Sequence, residues 1–273
     1  MSATGTISKC VILARGLGTR MRTGDAGTPL DKAQSSAASS GLKAMIPVGR
    51  PFLDYVLSTL ADAGFQQACL VIGPEYKLVR EYYTSVRPAR INVSFALQAE
   101  ALGTANAVLA AEQFAGADEF LTINGDNYYP VEALQALQRL GQQGTVLFEA
   151  DALVHESNIP AERIREFAHA VIDPGGFLAD LVEKPDNETA AKLAGPRLVS
   201  MNCWRFGPGI FPICREIPLS ARGEYELPLA VKLAIHKGIK FKAATCRAGV
   251  LDLSRRSDIA SVADRLRNVK VHL

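Results

Sequence analysis

Leu13-Ala14-Arg15-Gly16-Leu17-Gly18-Thr19-Arg20-Met21 continues the apolar run Cys10-Val11-Ile12. An apolar run stopped by glycine reads as a buried strand, and Gly16 and Gly18 then allow a sharp turn with backbone N–H groups facing one way. Such a cluster of donors suits a phosphate. Arg20 adds a permanent cation whose fork matches phosphate oxygens. Gly-x-Gly by itself also fits an ordinary strand-to-loop turn, so the neighbouring stretches must decide. Two other phosphate motifs are excluded: the third glycine of the dinucleotide fingerprint is missing, and so is the Gly-Lys-Ser/Thr ending of the Walker loop.

The 273 residues, 48% of them apolar, suffice for one large domain or two small ones. No shift in composition marks a boundary, so a single domain over 1–273 is expected. The 30 basic and 28 acidic residues are well mixed and leave a net charge of +2, which points to neither a nucleic-acid face nor a membrane surface. A small-molecule partner fits better. The five cysteines stand apart with no Cys-x-x-Cys pair, as reduced core thiols of a cytoplasmic protein would. The four histidines show no metal-ligand spacing. Ser2 to Thr6 is polar, and no apolar run approaches the roughly 20 residues of a membrane helix.

Further along, Arg22 to Gly41 is polar and small, with a Ser/Ala tract from Ser35 to Ser40, and predicts a flexible insertion over about 23–41. It either closes over a ligand or has no task. Lys43 follows, just before the segment Ile46-Pro47-Val48, and Pro51 opens a helix through Leu53, Val56, Leu57 and Leu60. Strands at Gln67 to Gly73, Ile91 to Leu97 and Glu119 to Ile123 alternate with helices at Glu75 to Tyr83 and Ala105 to Phe114. That alternation predicts an α/β fold whose largely parallel sheet carries helices on both faces. Ligands of such sheets bind at the carboxyl ends of the strands.

Those ends hold the next candidates. Gln98 carries an amide able to donate and accept at once, matching the edge of a uracil or thymine. Gly103 permits close approach of a base or ribose, and Thr104 serves as a helix N-cap. In Asn124-Gly125-Asp126-Asn127 a hairpin competes with a strand end followed by a helix through Leu134 and Leu137. In the second case Asp126 is a hard carboxylate placed to hold magnesium. The second half predicts strands at Thr145 to Phe148, Ala168 to Ile172, Phe177 to Val182, Leu198 to Phe206 and Phe241 to Cys246. Arg222 to Glu226 is expected to open a helix, and a C-terminal helix covers about 257–270.

Taken in order, Gly16-Leu17-Gly18-Thr19-Arg20-Met21, Lys43 with Ile46-Pro47-Val48, Gln98 with Gly103-Thr104, Gly125-Asp126, Glu183-Lys184-Pro185, Asn202 and Asp252 resemble the sugar-1-phosphate nucleotidyltransferases. The resemblance spans nearly the whole chain. It implies a three-layer αβα, Rossmann-like, mixed but mostly parallel sheet of the GT-A-like kind. It also implies UTP or dTTP and a sugar 1-phosphate as substrates, with Mg2+ as cofactor. Leu13, Ala14, Gly16, Gly18, Thr19 and Arg20 would hold the nucleotide and its triphosphate, while Gln98, Gly103 and Thr104 would face the nucleoside. Lys43 would help with the phosphates. Lys184 would grip the sugar phosphate, Glu183 and Asn202 would meet sugar hydroxyls, and Asp126 and Asp252 would bind the metal. Oligomeric state is left open, a homo-oligomer included.

The chain departs from the family's pattern in several respects. Arg15 stands where a small residue usually precedes the first glycine, the 22–41 segment is long, and Leu42 replaces a proline. Asp252 sits in Val-Leu-Asp-Leu-Ser rather than Trp-x-Asp-x-Gly, and no hexapeptide repeat of a C-terminal β-helix follows. Two rival readings remain: a GT-A-type glycosyltransferase, against which Asp126-Asn127-Tyr128 lacks the usual Asp-x-Asp, and a catalytically silent nucleotide-sugar-binding subunit.

Overall fold

In a computed structural model of the chain, which describes residues 6–23, 29–186, 188 and 196–273, the run Lys9–Leu13 forms β1 near the middle of a sheet. β2 (Gln67–Ile72), β3 (Asn92–Leu97) and β4 (Phe120–Asn124) join it in parallel register, in the spatial order β4, β1, β2, β3. β5 (Asn127–Tyr128), β6 (Gly144–Glu149), β7 (Ala168–Ile172), β8 (Leu178–Glu183) and β9 (Leu198–Phe206) follow, then β10 (Lys242–Cys246) and β11 (Leu251–Asp252). β9 runs antiparallel to both β4 and β6 and joins the two halves, β10 extends β6 in parallel, and the β7 to β8 hairpin hangs on β9. The sheet is mixed and mostly parallel, as expected.

Parallel strands covered on both sides need apolar residues on both faces. β1 supplies them alternately. Cys10 and Ile12 join one core with Ile72, Leu121 and Ile123, under the helices Phe52–Asp62, Val131–Arg139 and Asp258–Leu266. Val11 faces the other core with Val71, Phe120 and Trp204, under the helices Thr104–Ala110, Ile210–Glu216 and Leu227–His236. Three layers result.

The predicted strands fall within a residue or two of those observed. Asn124-Gly125 is not a hairpin: β5 pairs with distant β11, and a helix follows at Val131–Arg139. The helix expected from Arg222 starts at Leu227, where Pro228 occupies the first turn. The C-terminal helix is Asp258–Leu266. Ala150–Glu156, Ile210–Glu216 and the 3-10 turn Ala161–Glu166 went unanticipated.

The segment expected to be a flexible insertion contains a helix, Lys32–Ser40, while residues 24–28 lie outside those described. Asp31 and Gln34 form a capping box that satisfies the first-turn donors, which offsets the weak propensity of the serines. Its end at Gly41 packs directly on the glycine turn: a Cβ on Gly18 would lie 2.5 Å from Gly41 O.

Candidate active site

The chain leaves β1 at Leu13 and turns along the carboxyl edge of the sheet. Ala14 N donates to Val71 O at 3.0 Å and Gly125 N to Leu13 O at 2.9 Å, so the turn is held between the ends of β2 and β4. Gly18 has a φ of 61° with Gly41 against it, a place only glycine can fill. Gly16 is different. A Cβ there would meet nothing within 4 Å. Packing within the protein does not ask for glycine at this position, and the open space borders the cleft. Thr19 and Arg20 begin the helical turn Thr19–Arg22, and the exposed guanidinium of Arg20 lies 3.6 Å from Glu166.

Opposite stand two carboxylates and their counter-ions. Lys43, in the 3-10 turn Lys43–Met45, places its ammonium 2.8 Å from Asp126 Oδ2. Burial pushes the Lys43 pKa down, but the Asp126 carboxylate more than compensates, and the balance lies above the ordinary lysine value. Asp252 pairs with Asn127 across β11 and β5 and is 3% exposed. Its Oδ1 accepts from Asn127 Nδ2 at 3.0 Å and Ser254 Oγ at 2.9 Å, and its Oδ2 meets the guanidinium of buried Arg163. Burial and the charge of Asp126 push the Asp252 pKa up to about 6, although Arg163 pulls the other way.

These two carboxylates line one cleft, close enough for the charge of Asp126 to raise the Asp252 pKa, and each already has a counter-ion, Lys43 or Arg163. Two carboxylates on one cleft are the hard oxygen donors magnesium takes, which seldom sits in an all-protein cage. The donor set fits. Among the described residues, no group of three or more His, Cys, Asp or Glu gathers as a metal site of its own.

At the other end of the cleft, Gln98 closes β3 and is 4% exposed. Its amide nitrogen donates to Gly103 O at 3.0 Å and Asn106 Oδ1 at 2.8 Å. Both amide protons are therefore engaged, and the expected simultaneous donor and acceptor reduces to an acceptor, Oε1. The close approach that Gly103 permits is taken by the protein itself, since a Cβ would lie 2.6 Å from Tyr225 O. Gly103, with a φ of 103°, takes the N-cap position expected of Thr104, whose hydroxyl instead accepts from Leu227 N at 2.8 Å.

The remaining wall carries two non-glycine residues with left-handed backbone, Lys184 at a φ of 44° and Asn202 at 55°. Asparagine tolerates this region, whereas for lysine it costs roughly 1 kcal/mol. Strain of this kind collects where a side chain must be aimed. Lys184 forms no ion pair among the described residues. Neighbouring Glu183, at the end of β8, has its carboxyl pKa raised by burial and by Glu226, with Lys184 opposing.

All fifteen residues singled out from the sequence line this one cleft of about 480 Å³. A larger, more open cavity of about 930 Å³ lies at the opposite, amino ends of β1, β4 and β6 and contains none of them. Three participants were missed. Arg222 and Glu224 line the wall beside Lys184, and only the charges flanking Gly223 ahead of a proline-bearing helix hinted at them. Arg163 left no local signal, because its partner Asp252 is 89 residues away.

A sheet with this order, and a cleft of cations and carboxylates at its carboxyl edge, define a nucleotide-handling αβα domain. The chain belongs to the nucleotidyl transferase family, whose description matches residues 9–262. It is 26% identical to the UTP–glucose-1-phosphate uridylyltransferase AglF of Haloferax volcanii over 95% of this chain and 96% of that protein. It is likewise 26% identical to a glucose-1-phosphate thymidylyltransferase of Streptomyces antibioticus, covering 93% of this chain but 65% of that one. Among solved structures, a UDP-glucose pyrophosphorylase complexed with UDP-glucose superposes with a TM-score of 0.74 at 18% identity, over 97% of this chain and all of the other. No helix among the described residues is long and apolar enough to cross a membrane.

Proposed function

We propose that this chain joins a nucleoside triphosphate, UTP or dTTP, to a sugar 1-phosphate, giving a nucleoside-diphosphate sugar and pyrophosphate. The observation that carries this reading is the meeting of Arg20, Lys43 and Lys184 with Asp126 and Asp252 in one cleft. A phosphate monoester has a second pKa of about 6, so its oxygen is largely ionised at neutral pH and needs no base to attack phosphorus. What hinders the reaction is repulsion between two polyanions. Cations fixed in advance where charge accumulates relieve it.

In this reading the turn from Leu13 to Arg20 takes the triphosphate, with Gly16 leaving room and Arg20 supplying charge. Lys43 stays protonated beside the phosphates. Lys184 holds the sugar phosphate so that its oxygen faces the α-phosphorus in line with the leaving pyrophosphate: one P–O bond forms as the other breaks. Glu183 and Asn202 meet the sugar hydroxyls. Asp126 and Asp252 are the residues that would hold magnesium, which when bound neutralises charge on the triphosphate. Gln98 Oε1 is left to accept the ring N3–H of uracil or thymine. Relatives named for uridylyl and thymidylyl transfer support that choice of base.

The test is pyrophosphate release with magnesium, a panel of triphosphates and common sugar 1-phosphates. Turnover with UTP or dTTP is expected. Binding of nucleotide sugars without turnover anywhere in the panel overturns the reading in favour of a silent binding subunit.

A further inference from the structure

Arg15 belongs to the glycine turn, yet phosphate binding alone does not require what its side chain does. It is 9% exposed. Nε donates to Gln98 O at 2.9 Å, Nη2 to Ala99 O at 3.3 Å, and Nη1 lies 3.3 Å from Glu75 Oε1. Next to Glu75, Tyr76 donates its hydroxyl to Gly16 O at 2.9 Å. Residues 15 and 16 are thereby tied to the segments that leave β2 and β3.

This tie matters because of where β3 lies. Among the described residues β3 is the edge of the sheet, with β2 its one neighbour strand, and Leu97 at its end is 52% exposed. The turn that carries Gln98 therefore has no further strand to support it. Inward, it is held to the glycine turn by the guanidinium of Arg15, through hydrogen bonds strengthened by charge. One turn faces phosphates and the other faces a base, and a single nucleotide must touch both.

We propose that Arg15 is a positioning residue that fixes the span between the phosphate turn and the base turn, and so sets affinity and base preference for the triphosphate. The inference rests on the nucleotidyl-transfer reading of the cleft. A loosened base turn must be ordered by the ligand at each binding event, which weakens binding. Bond exchange takes place at the phosphate end, so turnover at saturation moves little.

The experiment compares wild type, Arg15→Ala, Arg15→Lys and Glu75→Gln, with thermal melting to confirm that each is folded. For Arg15→Ala the KM for the preferred triphosphate rises about tenfold, the scale of lost charge-assisted hydrogen bonds, with kcat within about threefold of wild type. Its KM for the sugar phosphate stays put, and its preference for pyrimidine over purine triphosphates narrows. Lysine at 15 reaches one carbonyl rather than two and rescues in part. Glu75→Gln shifts KM the same way by less. Calorimetric titration with the triphosphate alone reads affinity without turnover, so a wild type that binds but never reacts sinks the transfer reading and leaves the Arg15 result standing. Unchanged KM and base preference in Arg15→Ala overturns the proposal. So does a loss in kcat of about 10²-fold at constant KM, which would make Arg15 a phosphate cation. Should Arg15→Ala fail to fold, an unchanged triphosphate affinity in Glu75→Gln overturns it.

Discussion

At the scale of single residues, the two glycines of the first turn have different reasons to be glycine. Gly18 is required by its left-handed backbone and by Gly41 pressed against it; Gly16 has open space beside it. Gly18→Ala is expected to lose about 1–2 kcal/mol or more of stability in a denaturant titration, from the strained φ alone. Gly16→Ala is expected to melt like wild type but to raise the KM for the triphosphate; unaltered kinetics would remove Gly16 from the phosphate site. Lys43→Ala is expected to lower kcat/KM by about 10²-fold, and a much smaller loss would return Lys43 to the role of a counter-ion for Asp126. That Gly16, Arg20, Lys43, Asp126 and Lys184 share one cleft was legible because each stands beside a short, strongly patterned segment. Arg163 and Arg222 were not. Arg163 has its meaning in a partner that only the folded chain brings near, and no local pattern records a salt bridge formed across 89 residues. Arg222 pairs with neighbouring Glu224 and Glu226, a pattern that reads as an ordinary solvated turn until the cleft forms beside it.

Among the elements, the first half of the chain was readable because β1, β2 and β4 are parallel, largely buried and written as mainly apolar runs, with the half-buried edge strand β3 recognised by its place in the strand-helix alternation. Helix Ala150–Glu156 was missed for the opposite reason: it is short, follows β6 without a loop, and has no side-chain cap to announce it. Helix Lys32–Ser40 was hidden by composition, since serine and alanine in a polar surrounding resemble a linker until the Asp31 and Gln34 spacing is read as a cap. Asp31→Ala removes that cap and is expected to cost the helix about 1 kcal/mol. Faster amide exchange confined to 32–41 and the abutting glycine turn is the readout. Exchange that is unchanged there would show that docking on Gly18, rather than the cap, keeps the helix formed.

For the molecule as a whole, antiparallel β9 between two parallel groups places both halves' strand ends at one rim, which is how Asn202 comes to share a cleft with Arg20. The hairpin on that rim carries His169, buried at 2% exposure, with Nδ1 lacking a partner among the described residues. Burial holds its pKa below the ordinary value, although the Ile164 carbonyl opposes this. The unfolded chain takes up a proton at His169 below about pH 6.5 while the folded chain declines it. Stability therefore falls as pH drops through that range, by at most about 1.4 kcal/mol per pH unit from one proton. His169→Gln is expected to flatten the fall between pH 6.5 and 5 in denaturant titrations, and an equal slope in the variant would show that other groups cause it. The five cysteines add something of practical use, because all of them are buried and unpaired. A thiol reagent in the bulk finds no target until the layers part, so the chain labels itself only when it opens. Any small molecule that closes the cleft then announces its occupancy as protection of sulfur atoms it never touches.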